Sequence, residues 1–477
     1  MSGRTKIVAT IGPASEDPRT LRRLILAGVD VMRLNLSHGP LDEHLVRLRA
    51  VRAAADDVGI HVAVLADLPG PKVRSGRFAE AGARLESGHT LRVLPGDLPS
   101  DENVVYVDYP TLLSDVQVGD RLVVGDGAIS MTVTAVGPAG LSARVDSGGL
   151  VQGRPGIHLP SERLRLTAPT PEDLQLAAAM AAAGADFIAV SFVRNAIDVE
   201  RVRDVTRPYP ARLVAKIETI PAVLNLEAIA LASDAIMVAR GDLGIECPLE
   251  DVPHLQKKII RHCVETGVPV ITATQMLESM IQSPAPTRAE VSDVANAVFD
   301  GTDAVMLSAE TAIGHDPVLV VTTMARIAER AEAEANYLQW AERLGRVQRR
   351  WDEPSDRITL AITHACSRAA EDAGVEAILC CTRSGRTAVA MARFRPSAKL
   401  IGLSPDLATV RAMALSWGVT PLHVATRAST DELVWFAVEE AVKHGLVTAG
   451  SVVAVLAGAP DRPSGAATDV LRLVRVG

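Results

Sequence analysis

The run LVAKIETIP at 213–221 is apolar until Lys216 and Glu218, two opposite charges two residues apart. In a β-strand, side chains at i and i+2 leave the same face, so the two point the same way. A core strand has no use for them, because buried Lys and Glu are rare unless paired. Asp242 follows Glu218 by 24 residues, about one βα unit, in the stretch VARGDLGIE. Two carboxylates from adjacent strand ends are a common way to hold Mg²⁺, which keeps waters and takes substrate oxygens in its other positions. Arg33, Arg74 and Lys216 could hold a phosphate, arginine as a bidentate fork and lysine as a point charge. Phosphoryl transfer needs that combination of positioning and charge neutralisation. The other reading of the same residues is a set of structural ion pairs holding loops together.

These residues must be delivered to one place by the fold. Eight apolar bursts read as buried parallel strands: 6–12, 29–35, 61–67, 186–192, 212–218, 234–240, 268–274 and 303–309. Helical patterns separate most of them, and the alternation predicts a (β/α)₈ barrel. An open doubly wound sheet is the alternative, but no GxGxxG follows the first strand. From Asp67 to Asp186 is 119 residues, far more than one βα unit, and the text between is rich in strand and turn signals. It predicts an all-β module inserted in a barrel loop, at the end where active sites form and a lid can act. The expected organisation is a catalytic barrel at 1–70 and 168–350, an inserted β-barrel lid at 71–167, and a C-terminal α/β regulatory domain at 355–477 after the charged linker RRWDEPSD. No low-complexity segment or short repeat stands out.

In a barrel, distant residues meet at one mouth. Strand two brings Arg33 and Asn35, followed by Ser37 and His38. Strand three brings Asp67, then Lys72 and Arg74. Strand five brings Lys216 and Glu218, strand six Arg240 and Asp242, strand seven Thr274, and strand eight Ser308 with Glu310. The segments TKIVATIGPAS, MRLNLSHG, DLPGPKVRSG, AKIET, MVARGDLGIE, ITATQMLESM and DGTDAVMLSAETAIG, in this order, closely resemble those of the pyruvate kinases. The resemblance runs from Thr5 to the last strand and is similar to the bacterial members, which lack an extension before the first motif.

The resemblance implies transfer of a phosphoryl group from phosphoenolpyruvate to ADP, giving pyruvate and ATP. By motif, Glu218 and Asp242 match the ligands of Mg²⁺ (or Mn²⁺), and Lys216 the cation that neutralises the transferring group. Arg33 and Arg74 match phosphate clamps. The backbone N–H groups of Ala239, Arg240, Gly241 and Asp242 match the receiver of the substrate carboxylate. Thr274 matches the residue that orders the proton-delivery site, and Ser308 a member of the same relay. Asn35, Ser37, Asp67 and Leu68 match the monovalent-cation site, and Asn35, His38 and Arg74 the nucleotide side. His38 as a general base is the weaker reading for a loop histidine beside glycine.

The chain departs from the family pattern in DLPGPKVRSG. Many members carry Thr where Leu68 stands and Glu where Lys72 stands, and those members need K⁺. An ammonium from Lys72 supplies the charge that K⁺ would bring, so K⁺ is not expected to be required. A solvated Lys72, with K⁺ still needed, is the alternative. Glu172 replaces a common Lys, and Gly125 replaces one Asp of a frequent pair in which Asp126 remains. In the C-terminal part, CCTRSGRTA resembles the family's effector-phosphate loop, with Thr382, Ser384, Gly385, Arg386 and Thr387 as its contacts. The late loop LAGAPDRPSGAA lacks the Trp that a sugar-bisphosphate effector needs. That leaves a monophosphate, such as a sugar phosphate or AMP, or no effector.

Composition narrows the classes. The chain has 477 residues, 48% apolar and 22% charged, with a net charge of −8. That predicts a globular, multidomain protein. Aromatics are 3% and no basic stripe is evident, which argues against nucleic acid as a partner. No apolar run is long enough to span a bilayer, and the N-terminus has no signal-peptide core. Five cysteines without a CxxC pair suit a reducing cytoplasm. The resemblance adds a homotetramer. Two rivals stay open: a lyase or mutase on a similar barrel with a Glu/Asp Mg²⁺ pair, and a silent paralogue. A test with ADP separates the first. The second would be signalled by loss of Lys216, Glu218, Asp242 or Thr274, all of which are present.

Overall fold

In a computed structural model, the described residues are 3–125, 127, 129–160, 165, 167–335, 337, 340, 344, 354–427, 429–458 and 467–477. Asp126, the linker residues 349–353 and most of the late loop, 459–466, lie outside them. The eight expected strands form one closed, all-parallel barrel: β1 (Lys6–Thr10), β2 (Val31–Asn35), β3 (Ala63–Asp67), β4 (Phe187–Val190), β5 (Arg212–Ile217), β6 (Ala235–Ala239), β7 (Val270–Ala273) and β8 (Ala304–Leu307). Each is a residue or more shorter than its apolar run, at the start for β2 and β3, at the end for β1 and β5, and at both ends for the others. Their faces are apolar on both sides, as strands enclosed by helices must be.

The other end of the barrel carries a repeat that the sequence reading missed. An aspartate precedes each even strand: Asp30, Asp186, Asp234 and Asp303. Each one clasps the preceding odd strand at two points. Its side chain accepts from the backbone N–H of Ile7, Val64, Leu213 or Val270, at 2.7–3.0 Å. Its own N–H donates to the carbonyl of that same residue. Each carboxylate also meets a cation, respectively Lys6, Arg52, Arg203 and Arg395. The clasp satisfies backbone groups at strand starts that would otherwise be buried without partners.

Between β3 and β4 the chain builds two further sheets. Phe78–Leu85 pairs with Gly149–Gly153. The second sheet has six strands, in the order Ile157–His158, Arg121–Val124, Ile129–Gly137, Gly140–Ser147, Thr90–Pro95 and Val104–Val107. These sheets enclose a core of their own, around Leu91, Val105, Leu122 and Met131. The C-terminal part is a five-stranded sheet of β9 (Ala377–Cys381), β10 (Lys399–Ser404), β11 (Val419–His423), β12 (Val452–Ala457) and β13 (Val470–Arg475), ordered β11-β10-β9-β12-β13 with β13 antiparallel. It is docked under the barrel, where Ala412, Ala414 and Leu415 join the cluster of barrel-interior residues Val8, Met237 and Ile271. Among the described residues all five cysteines are free and buried, and no helix is long and apolar enough to cross a membrane.

Candidate active site

A cavity of about 320 Å³ opens between the barrel mouth and the inserted sheets. Its barrel wall includes Arg33, Asn35, Ser37, Asp67, Leu68, Lys216 and Asp242, and its opposite wall includes Gly156, Ile157 and His158. Lys72 and Arg74, from the segment that leaves β3, also border it.

Lys216 Nζ donates to Ser191 Oγ at 2.7 Å and lies 3.3 Å from Asp67 Oδ1 and 3.4 Å from Glu218 Oε2. Burial opposes its charge, but Asp67, Glu218 and Asp242 outweigh that and raise its pKa, so it stays an ammonium. Arg33 is fixed by Asp67 Oδ2 at 2.7 Å and Thr10 Oγ1 at 3.0 Å. Burial pushes the Asp67 carboxyl up, yet Lys216 and Arg33 together hold it below its usual value. Glu218 is fully buried, and its Oε1 accepts from Phe192 N–H at 2.6 Å. Its Oε2 has no hydrogen bond. Burial, reinforced by Asp242 against the pull of Lys216, pushes Glu218 up to about 7. Two carboxylates under mutual repulsion, one with an unused buried oxygen, suit a cation between them. Among the described residues no cluster of three or more His, Cys, Asp or Glu could hold a metal. A divalent ion here would rest on two protein carboxylates and fill its remaining positions with water and substrate, as Mg²⁺ does.

Asp242 lies in the first turn of the helix Arg240–Glu246. The Arg240 side chain faces away from the cavity, bonded to Asp293, to the Ala273 and Thr274 carbonyls and to Met276. That leaves its backbone for any role at the mouth. Gly241 N–H donates to Thr274 Oγ1 at 2.8 Å. Thr274 has φ +70°, and the next residue, Gln275, φ +54°. Ser308 stands at the exit of β8, and its N–H donates to Glu310 Oε2. The contacts of the described residues bring Lys216, Glu218, Asp67 and Arg33 together and join Thr274 to Gly241. They do not tie the Ser308 hydroxyl to the Lys216 cluster.

His38 lies beside the cluster. Its carbonyl accepts from His44, and burial, then Lys72, Arg33 and Arg74, lower its pKa. Lys72 is exposed but borders the cavity, and burial together with Arg74 and Lys216 lowers its pKa against Asp242 and Asp67. Glu172 is exposed in the first turn of the helix Pro171–Ala182, away from the cavity wall, whereas Gly125 lines it. Sequence reading missed Ser191, Phe192 and Thr10. Each meets a candidate site side chain through a hydroxyl or a backbone N–H; Thr10 lies inside TKIVATIGPAS, whereas Ser191 and Phe192 lie in none of the quoted motifs. In the C-terminal loop, Thr382 Oγ1 accepts from Gly385 N–H, Thr387 pairs with Thr468, and Arg386 pairs with Asp356.

Comparison with known proteins agrees with this architecture. The family model "Pyruvate kinase, barrel domain" matches residues 2–321, and "Pyruvate kinase, alpha/beta domain" matches residues 360–474. A pyruvate kinase of Methylorubrum extorquens is 41% identical, covering 100% of this chain and 98% of the relative. One from Geobacillus stearothermophilus is 42% identical over 98% of this chain and 79% of the relative, and one from Clostridium acetobutylicum 38% identical over 98% and 99%. With both family models matched in order across a closed eight-stranded barrel and a C-terminal α/β sheet, the chain belongs to the pyruvate kinase family of phosphotransferases.

Proposed function

We propose that this enzyme transfers the phosphoryl group of phosphoenolpyruvate to ADP with Mg²⁺ held by Glu218 and Asp242, and that it does so without K⁺. The observation that carries the metal reading is the unbonded, buried Oε2 of Glu218, 3.4 Å from Lys216 Nζ, on a carboxyl whose pKa Asp242 helps to raise. Bound there, Mg²⁺ (or Mn²⁺) would supply a Lewis acid for the phosphoryl and enolate oxygens. Lys216, kept charged by three carboxylates, holds the phosphoryl oxygens during transfer. Arg33 and Arg74 bind phosphate, with Asp67 orienting the Arg33 fork. The backbone N–H groups of the Ala239–Asp242 turn receive the substrate carboxylate. For Gly241 this requires its present bond to Thr274 Oγ1 to give way. Thr274 orders the group that delivers a proton to the enolate carbon, with Ser308 behind it through water. The inserted sheets act as a lid that excludes water from transfer, and Asn35, His38 and Arg74 border the nucleotide.

Lys72 borders the same cavity as Asn35, Ser37, Asp67 and Leu68, which supports an ammonium in place of K⁺. We further assign the Thr382–Thr387 loop to a phosphorylated effector, with the family's homotetramer as the working assembly and the cytoplasm as its setting. The test is pyruvate formation from phosphoenolpyruvate, ADP and Mg²⁺ in buffer free of K⁺, Na⁺ and NH₄⁺, then with K⁺ restored, and after chelation of the metal. Activity without K⁺ that chelation abolishes supports the proposal. Activity only with K⁺ overturns the role given to Lys72, and no pyruvate in any arm overturns the reaction.

A further inference from the structure

The inserted sheets are joined to the barrel by two crossings of the chain. The outgoing one runs from the end of β3 through Leu68, Pro69 and Gly70, and the returning one enters the helix Pro171–Ala182 at Thr170. One carboxylate ties both. Gly70 N–H donates to Asp173 Oδ1 at 3.0 Å. Thr170 donates to Asp173 Oδ2 from its N–H and from its hydroxyl, each at 2.8 Å, and that hydroxyl accepts from Asp173 N–H at 3.0 Å. The bonds with Thr170 are an ordinary helix cap. The bond with Gly70 is not, since that residue lies 103 positions away in sequence. Asp173 is 1% exposed, so these bonds are shielded from water.

Gly70 rests on the residues that hold Lys216 and Glu218. It has φ +69°, and an added Cβ would sit 2.6 Å from Phe192 Cδ2 and 2.9 Å from Ser191 Cβ. Two residues earlier, the Leu68 carbonyl accepts from Ser191 Oγ at 2.7 Å. Ser191 Oγ in turn accepts from Lys216 Nζ, and Phe192 N–H donates to Glu218 Oε1 at 2.6 Å. Phe192 itself is at φ +55°, a conformation that a bulky residue keeps only where its surroundings impose it. Gly70, in close contact with the ring, is part of those surroundings. A close-packed interior transmits displacement, so a shift of Gly70 reaches both site residues through one intervening pair.

We infer that Asp173 is a positioning residue for phosphoryl transfer. It pins the outgoing crossing to the returning one, so that Gly70 stays seated on Ser191 and Phe192, and these keep Lys216 and Glu218 in place while the inserted sheets move. This rests on the roles given above to Lys216 and Glu218 and on the inserted sheets acting as a lid. A helix cap alone would stabilise the helix and leave Lys216 and Glu218 untouched.

The test compares variants of the full chain by steady-state turnover and by hydrogen exchange of the segment 190–193 without Mg²⁺ or substrate. Asp173→Ala should lower kcat at least ~10-fold, because small misplacements of reacting groups are costly. It should also speed exchange of that segment at least ~10-fold, because the bond from Phe192 N–H opens more often. Thr170→Ala removes half of the cap and keeps the bond to Gly70. It should lower the unfolding midpoint, as loss of a cap does, yet leave kcat and the exchange within about 3-fold of the parent. Asp173→Asn keeps an oxygen for Gly70 N–H and should retain most of the turnover. Should Asp173→Ala fail to fold, Gly70→Ala decides. It leaves the carboxylate in place and drives a Cβ into Phe192, so it should bring the same loss of kcat and the same faster exchange. The proposal is overturned if Asp173→Ala and Thr170→Ala lose turnover and protection alike, if Asp173→Asn is as impaired as Asp173→Ala, or if neither Asp173→Ala nor Gly70→Ala changes turnover and exchange. A parent that forms no pyruvate would overturn the reaction assigned above, and the exchange comparison would still decide the role of Asp173.

Discussion

Thr274 is a β-branched residue at φ +70°, a conformation that costs on the order of 1–3 kcal/mol and is kept only where the surroundings impose it. Here Gly241 N–H and the Arg240 guanidinium hold it, through its hydroxyl and its carbonyl. Thr274→Gly relieves the strain but loses the hydroxyl bond and adds freedom to the unfolded chain, terms of similar size. The unfolding midpoint should stay within about 3 °C while turnover falls ~10²-fold or more, the scale for losing one positioned group. A loss of stability in step with activity would make Thr274 structural. Lys72 is a cleaner case because it is exposed. Lys72→Glu should cut activity in K⁺-free buffer by about 10-fold or more, with recovery on adding KCl but not choline chloride, since Coulomb forces alone do not distinguish the salts. Recovery with both salts would mean ionic strength, not a cation site.

At the scale of elements, the four aspartate clasps make a sharp contrast with surface ion pairs. Asp303 holds Val270 N–H, Trp417 N–H and the Arg395 guanidinium, whose side chain is 1% exposed. Asp303→Ala strands a buried cation and should cost about 3–5 kcal/mol, seen as a lower unfolding midpoint. Asp431→Ala, which breaks a pair with Arg472 at a carboxylate 87% exposed, should cost less than about 1 kcal/mol. Glu376 ties the start of β9 to Lys399 and to the N–H and hydroxyl of Thr448. Those bonds pull its pKa down to about 2 from 4.5. A depressed carboxyl stabilises the fold above its unfolded pKa and loses that contribution as pH falls through the folded one. The stability gap between the parent and Glu376→Gln should therefore be full above pH 4.5 and close as pH approaches 2. A gap that stays constant to pH 2 would assign the bonds no dependence on charge.

For the whole molecule, the C-terminal part is the floor of the barrel. Leu415 is 1% exposed and packs with Val8, Met237 and Ile271 inside the strand cylinder. Leu415→Ala should lower stability by about 2–5 kcal/mol, as deletion of a well-packed leucine does. Mg²⁺ affinity and turnover below the melting range should change less than about 3-fold, because the proposed catalytic groups sit at the opposite ends of the strands. A parallel collapse of turnover would show that packing at the floor sets the geometry of the mouth. Strand β5 connects the two ends directly, with Arg212 against the Ser384 carbonyl at its start and Lys216 near its end.

The sequence alone determined the barrel, the existence of an inserted β module and the convergence of Arg33, Asp67, Lys216, Glu218 and Asp242. Apolar runs report burial on both faces, alternation with helices reports parallel pairing, and the charges that end such runs gather at the mouth, except Arg240, whose side chain turns away to Asp293. Phe78–Leu85 and Gly149–Gly153 escaped that reading, because they are half-exposed, alanine- and glycine-bearing segments with little apolar alternation. The aspartate repeat was spelled out before each even strand, yet it became a repeat only when each carboxylate was seen to bond the strand before it. Which backbone N–H meets a given carboxylate follows from how distant segments pack, and only the tertiary structure decided it.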